Sequence, residues 1–239
     1  ACGACVYQCP FGAIMDKSFV VDVIGLLREA AVNPERKVYA VVAPSIASQF
    51  TYARLGQVIS GIKALGFFHV VEAALGADLV ADAESRELAE KGFLTSSCCP
   101  AFVSYVKSQF PTVAPHISHN LSPMAAIAQV IKKTATSARV VFIGPCTAKK
   151  MEFQDERVRP WIDSVLTFEE LQALFDGAGL DITALPEDTL DNASFFGRIF
   201  ARSGGLSEAV RQALHENGRD NIEFNPVVCD GIEECRVAL

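Results

Sequence analysis

The stretch Thr95-Ser-Ser-Cys-Cys-Pro100 places two adjacent cysteines ahead of a proline. Neighbouring side chains of a strand or helix point in different directions, so Cys98 and Cys99 cannot serve one face. A disulfide between them would be strained. The pair therefore points to two tasks at one place: one thiolate holding a metal, the other facing a reaction site. A further thiol stands in Ile143-Gly-Pro-Cys-Thr-Ala-Lys-Lys-Met-Glu152, directly after an apolar run, and reads as the partner of the first loop. Lys149 and Lys150 follow Cys146, and nearby positive charge favours the thiolate that a metal needs.

Around these loops, apolar runs and turn signals alternate. Runs at 38–44, 67–72 and 138–143 read as buried strands, with shorter ones at 92–95 and 223–228. Helical periodicity covers 17–33, 55–65, 77–91, 102–110, 124–134 and 207–216. A Thr167-x-x-Glu170 capping box opens a further helix over 167–176. Strands alternating with helices give an α/β architecture. Sites in such sheets gather at the carboxyl ends of strands. Pro44 and Ser45 stand at one such end, but a plain turn with Ser45 capping the next helix accounts for them equally.

Glu84 and Glu87 lie three residues apart and share a helical face just before the Cys-Cys loop. Such a pair can pass protons; on the residues alone, a solvated acidic face is the default, because carboxylates are mostly exposed. His116 and His119 precede the helix near Pro123, where surface or capping roles outweigh metal binding. Cys229 and Cys235 read as buried or free thiols rather than ligands.

The chain has 239 residues, half of them hydrophobic, which is enough for a large core in one domain or two packed lobes. Net charge is −7 and no basic block occurs, which argues against nucleic acid as a partner. No apolar run approaches the roughly 18 residues that span a bilayer, and no secretory signal is visible. Eight cysteines allow four disulfides, but two tight clusters in an ordinary α/β sequence read better as ligands in a reducing cytoplasm.

Residues 1–10 read Ala-Cys-Gly-Ala-Cys-Val-Tyr-Gln-Cys-Pro, which is C-x2-C-x3-C-P. This is three-quarters of the bacterial ferredoxin signature, in which such thiolates hold [4Fe–4S] clusters. Cys2, Cys5 and Cys9 are the expected ligands, with a zinc site or three idle thiols as the alternative. The first cysteine of the signature would fall before Ala1, so the sequence reads as beginning inside a motif.

Thr95–Phe102 and Gly144–Glu152 resemble the first two signature motifs of the iron-only ([FeFe]) hydrogenases. Val42-Ala-Pro-Ser45, Leu75-Gly-Ala-Asp-Leu79 and Ser203-Gly-Gly205 stand where that family has similar segments, so the resemblance covers nearly the whole chain. It implies a two-lobed H-cluster domain with mixed sheets flanked by helices over 17–239, preceded by a partial ferredoxin-like segment over 1–16. The implied cofactors are [4Fe–4S] clusters and a di-iron H-cluster subsite.

Carried onto this sequence, the resemblance makes Cys99 and Cys146 cubane ligands and Cys98 the proton carrier. It makes Glu84, Ser118 and Glu87 the proton relay, and it favours the relay over the solvated face. Lys149 would hold a cyanide ligand, Pro44, Ser45 and Pro145 would line the pocket, and Glu152 would orient its loop. A thiol with an ordinary pKa near ~8.5 can relay a proton, and carboxylates can pass it outward.

The implied activity is reversible H2 oxidation and proton reduction. H2 and protons, a ferredoxin or similar electron carrier, and maturation proteins are the implied partners. The alternatives are a hydrogenase-like iron–sulfur assembly factor or an H2 sensor. The assembly factors typically lack the proton-carrying cysteine, which Cys98 supplies here. The chain departs from the family at Gly144, where methionine is common, at Met124, where glutamine is common, and at Ala101-Phe102, where Gly-Trp is common. The family's third cysteine motif is expected beyond Leu239, so the chain reads as cut at both ends and, by itself, as inactive and largely without its cluster.

Overall fold

The computed structural model describes residues 4–239, so Cys2 lies outside the described residues. In chain order the elements are α1 (Ala4–Gln8), α2 (Val20–Val32), β1 (Val38–Val42), α3 (Ile46–Gln49), α4 (Leu55–Ala64), β2 (His69–Glu72), α5 (Ala73–Lys91) and α6 (Pro100–Gln109). They continue with α7 (Pro123–Thr134), β3 (Arg139–Gly144), α8 (Lys149–Glu152), β4 (Ser164–Thr167), α9 (Phe168–Gly177), α10 (Phe195–Ile199), α11 (Gly205–Glu216) and α12 (Ile232–Ala238). The chain divides into two compact units: Ala1–Ala73 with Ile127–Asn192, and Ala74–Ala126 with Ala193–Leu239.

The first unit is built on a four-stranded sheet in the order β2-β1-β3-β4. The α/β expectation holds, but all three pairings are parallel where mixed sheets were expected. The composition of the strands explains this. Val38–Val42 and Val140–Ile143 are apolar on both faces, and parallel sheets bury both faces under helices. Val41, Val140, Val141, Ile143 and Leu166 are almost wholly buried. Strand β4 escapes a reading by apolar runs because it is four residues long and opens on Ser164, which is itself buried. Its last residue, Thr167, caps α9: Glu170 N–H donates to Thr167 Oγ1 and Thr167 N–H donates to Glu170 Oε2, the expected capping box.

A lysine is buried inside this unit. Lys150 is 5% exposed, and its Nζ donates to Asp16 Oδ2 at 2.5 Å, Glu170 Oε1 at 2.9 Å and the Lys17 carbonyl at 3.0 Å. A buried ammonium needs such partners, because an unpaired one is very costly. The second lysine of the Lys-Lys motif is therefore an anchor between the 16–17 segment and α9.

The second unit is mainly helical. Ala77, Val80 and Ala81 of α5 form a core with Phe200 and with Ala209, Val210, Ala213 and Leu214 of α11. At Gly205 a Cβ would stand 1.8 Å from the Ile199 carbonyl oxygen, so only glycine permits this entry into α11.

Two expected strands are absent among the described residues. Residues 92–95 make a single bridge, Thr95 with Ile117, because Gly92 at φ +74 turns the chain out of α5. Residues 223–228 pair with no strand; Phe224 packs against the helical core instead. Among the described residues, no helix is long and apolar enough to cross a membrane.

Candidate functional site

In the first unit, β1 and β3 are neighbours, and Val42 pairs with Ile143. Ala43 N–H donates to the Ile143 carbonyl at 2.8 Å, so the two chains leave the sheet side by side. Pro44-Ser45 and Pro145-Cys146 thus emerge at the carboxyl ends of adjacent parallel strands. The order β2-β1-β3-β4 makes this the point where the winding direction of the sheet reverses, which is where α/β sheets bind ligands. Ser45 stands at the start of α3 but its side chain makes no capping bond, so the simple cap reading fails. Cys146 is half-buried. Lys149 Nζ donates to Glu152 Oε2 at 2.6 Å within the same turn, which ties the acidic end of the motif to the lysine. Lys150 points into the core, whereas Lys149 stays with the loop, paired to Glu152.

In the second unit, the Cys-Cys-Pro loop is held by its serines. Ser97 Oγ donates to the Asn120 carbonyl, and Ser96 Oγ donates to Glu84 Oε1, both at 2.7 Å. Cys98 N–H donates to Ser96 Oγ at 3.3 Å. Pro100 opens α6 and leaves Cys99 at the N-cap, where the missing proline N–H costs no hydrogen bond. Cys98 is half-buried against the helical core while Cys99 is exposed, so the two adjacent thiols do face different surroundings.

Glu84 is only 2% exposed. Burial pushes its carboxyl up, and the charge on Glu87 adds to this; hydrogen bonds from Ser96 and Ser118 act against it. Ser118, itself buried, donates from Oγ to Glu87 Oε2 at 2.8 Å. Glu87 also accepts from Asn120 Nδ2 at 2.9 Å, His119 N–H at 3.2 Å and Lys91 Nζ at 2.5 Å. Burial alone would raise the Glu87 carboxyl, but the bonds from Lys91, Ser118 and His119 outweigh it and hold it at about 2. His119 Nδ1 lies 2.9 Å from Glu87 Oε1 and 2.8 Å from Lys91 Nζ. The ring nitrogen can donate to the carboxylate or accept from the ammonium, but not both at once.

Ser118, Glu87 and exposed His119 thus form a hydrogen-bonded line, with the Ser118 hydroxyl close enough to buried Glu84 to act on its acidity. The solvated acidic face is overturned for Glu84, and the reason lies in α5. Glu84 falls on the helical stripe of Ala77, Val80, Ala81 and Leu88, so an apolar periodicity carries a carboxylate into the core. That signal is visible in the sequence. The places of Ser96, Asn120 and His119 are not, because they depend on the 116–120 segment folding back onto α5. His116 stays apart from the line, its ring edge-on to Phe93 at 5.1 Å.

Glu84, Thr95, Ser96, Cys98 and Cys99 line a cavity of ≈ 850 Å³ within this unit. Cys229 and Cys235 stand on another part of its wall. At the other end of the chain, the Cys9 thiol lies among backbone N–H groups. Those of Phe11, Ala13 and Ile14 lower its pKa most, which favours the thiolate form. Cys5 is exposed on α1.

Residues 36–239 match the family model for the iron-only hydrogenase large subunit, C-terminal domain. The chain belongs to this hydrogenase family. Across its whole length it is 26% identical to the NADP-reducing hydrogenase subunit HndD of Solidesulfovibrio fructosivorans, of which it covers 47%. Half of the chain is 33% identical to the cytosolic Fe–S cluster assembly factor NAR1 of Botryotinia fuckeliana, covering 24% of that protein. A variant of the [FeFe]-hydrogenase HydA1 from Chlamydomonas reinhardtii superposes with a TM-score of 0.67 at 28% identity, over 83% of this chain and 58% of the other. The chain spans about half the length of the curated relatives it matches over most of its own length.

An iron–sulfur cofactor is expected for this hydrogenase family. Cys99 and Cys146 offer thiols of the right chemistry, but among the described residues no three His, Cys, Asp or Glu side chains converge as a metal site. The described residues therefore fit part of a cluster's ligand set. One departure from the family has a steric cause: a Cβ at Gly144 would stand 2.7 Å from the Phe142 ring and 3.1 Å from the Ala43 Cβ.

Proposed function

We propose that this chain forms part of an [FeFe] hydrogenase that interconverts H2 with protons and electrons, and that it contributes the proton path. The observation that carries this reading is the line Glu84–Ser118–Glu87–His119, which joins the cavity bearing Cys98 to solvent. Cys98 is the proton carrier at the inner end. Glu84, raised by burial, is the group best able to hold a proton between turnovers. Glu87, at about 2, does not store a proton at neutral pH; it orients Ser118 and passes charge to His119 and Lys91.

Cys99 and Cys146 would offer two thiolate ligands to the H-cluster cubane, Lys149 would hold a cyanide ligand of the di-iron subsite, and Pro44, Ser45 and Pro145 would line its pocket. When bound, the cofactor would supply the site of H2 cleavage and the electron exchange. Residues 1–16 form part of a ferredoxin-like segment, in which Cys2 and Cys5 serve one [4Fe–4S] cluster and Cys9 a neighbouring one, and these clusters exchange electrons with a ferredoxin-type carrier. Maturation proteins install the cofactor, in the cytoplasm.

The kinship with NAR1 supports a second reading, a role in iron–sulfur assembly without H2 chemistry. The two are separated by maturing the full-length parent protein anaerobically and measuring iron content and H2 evolution together. Full iron loading with H2 evolution, reduced at least about 100-fold by Ser118→Ala at unchanged iron content, is the hydrogenase outcome. Full loading without any H2 evolution sinks the hydrogenase reading.

A further inference from the structure

Two thiols in the second unit are used by nothing described so far. Cys229 precedes α12 and Cys235 lies within it. Gly231, at φ +88, reverses the chain between them, a backbone state that favours glycine. The turn is locked twice: Asp230 N–H donates to Glu234 Oε2 at 2.8 Å, and Cys235 N–H donates to the Gly231 carbonyl at 3.3 Å. This folds Cys229 back alongside the first turn of the helix. The two half-buried thiols both stand on the wall of the cavity that Cys98 and Cys99 also line, near enough for Cys229 to act on the acidity of Cys235. Burial, and then the neighbouring Cys229, hold the Cys235 thiol above its ordinary pKa.

We propose that Cys229 and Cys235 form a reversible dithiol–disulfide pair, oxidised by exchange with low-molecular-weight disulfides, which pins α12 to the cavity wall. Thiolate attack by one cysteine on the small disulfide breaks its S–S bond, forms a mixed disulfide and releases one small thiol. The second cysteine then attacks the mixed disulfide on its protein sulfur. An intramolecular S–S bond forms, and the second small thiol leaves with the remaining proton. Two electrons pass from the protein pair to the small disulfide, which ends as two thiols. Disulfides of this kind in a reducing compartment are transient and sensing rather than structural.

The geometry favours this pair over the other thiols nearby. Cys98 and Cys99 are adjacent in sequence, where ring strain opposes a disulfide. Cys229 and Cys235 are separated by five residues and a glycine reversal, which turns the chain back between the two thiols.

The test uses the full chain, reduced anaerobically and equilibrated with mixtures of oxidised and reduced glutathione, then acid-quenched, alkylated and mapped by mass spectrometry. The expected result is the loss of two alkylatable thiols per chain, both within the 229–235 peptide, reversed by dithiothreitol. Amide hydrogen exchange over 232–238 should slow at least about tenfold on oxidation, as α12 loses its local opening. Cys229→Ser and Cys235→Ser should each stop at a mixed disulfide on the remaining cysteine, with no internal bond. The proposal is overturned if wild type keeps both thiols alkylatable in fully oxidised glutathione, or if the bond that forms joins Cys98 or Cys99 instead.

Discussion

Ser118 Oγ donates to Glu87 Oε2 at 2.8 Å although 31 residues separate them in the chain. That bond fastens the 116–120 segment to the middle of α5 and puts a hydroxyl between two carboxylates in opposite states. Glu84 on the inner side is pushed up by burial; Glu87 on the outer side is pulled down to about 2 by its donors. Two acids on one helix face, three residues apart, are thus driven apart in acidity by their surroundings alone.

The inner carboxylate is a cost to stability at high pH. Its folded pKa lies above the unfolded value, so the penalty is absent at low pH and sets in as pH rises through the folded value. Glu84→Gln removes the charge and keeps an oxygen for the Ser96 hydroxyl. Urea unfolding should show the variant equal to wild type near pH 4 and more stable at pH 8. A variant less stable than wild type at pH 8 would mean that the ionised form is the preferred one.

The outer carboxylate has the opposite sign. Its folded value of about 2 lies below the unfolded value, so its contribution is present above pH 4.5 and is lost as pH falls toward 2. Glu87→Gln should therefore destabilise the chain near pH 7 by on the order of 1–2 kcal/mol after solvent screening. The gap should close as pH approaches 2 in a thermal-melt series, and a constant gap across that range contradicts the assignment.

Gly144 is held by packing rather than by backbone conformation. Gly144→Met forces a Cβ onto the Phe142 ring and the Ala43 methyl, at a cost of about 1–3 kcal/mol. Phe142→Ala in the same chain should recover part of that loss relative to the sum of the single changes. Strict additivity in a double-mutant cycle would show that the two sites do not touch.

Lys150 carries a larger share. Lys150→Ala leaves the Glu170 carboxylate buried without its cation, and should cost about 3–5 kcal/mol in chemical unfolding. A loss below about 1 kcal/mol would place Lys150 at the surface.

Much of the fold was legible because it rests on local pattern. The apolar runs at 38–44 and 138–143 and the capping box at Thr167 and Glu170 each specify their element without help from distant residues. The errors fall where partners are remote. Residues 92–95 and 223–228 have strand-like composition but find no strand beside them, and β4 is too short to announce itself yet pairs with β3. Lys149 and Lys150 look equivalent in sequence; one pairs within its own turn and the other passes into the core, and the difference lies in which helix face each occupies.

The chemistry available is written in the residues: a Cys-Cys-Pro loop, a Pro-Cys loop with its lysines, two glutamates at helical spacing, and the motifs that mark the hydrogenase family. These are properties of residue identity and short-range spacing, which the chain carries whether folded or not. Which groups meet depends on the folded chain. Parallel pairing of β1 with β3 brings Pro44-Ser45 and Pro145-Cys146 to one end of the sheet across about a hundred residues. Folding of the 116–120 segment onto α5 makes a hydrogen-bonded line out of Ser118, His119 and two acids, and the reversal at Gly231 puts Cys229 beside Cys235. Burial and hydrogen bonding set the acidity of each group, and both exist only once the chain has folded.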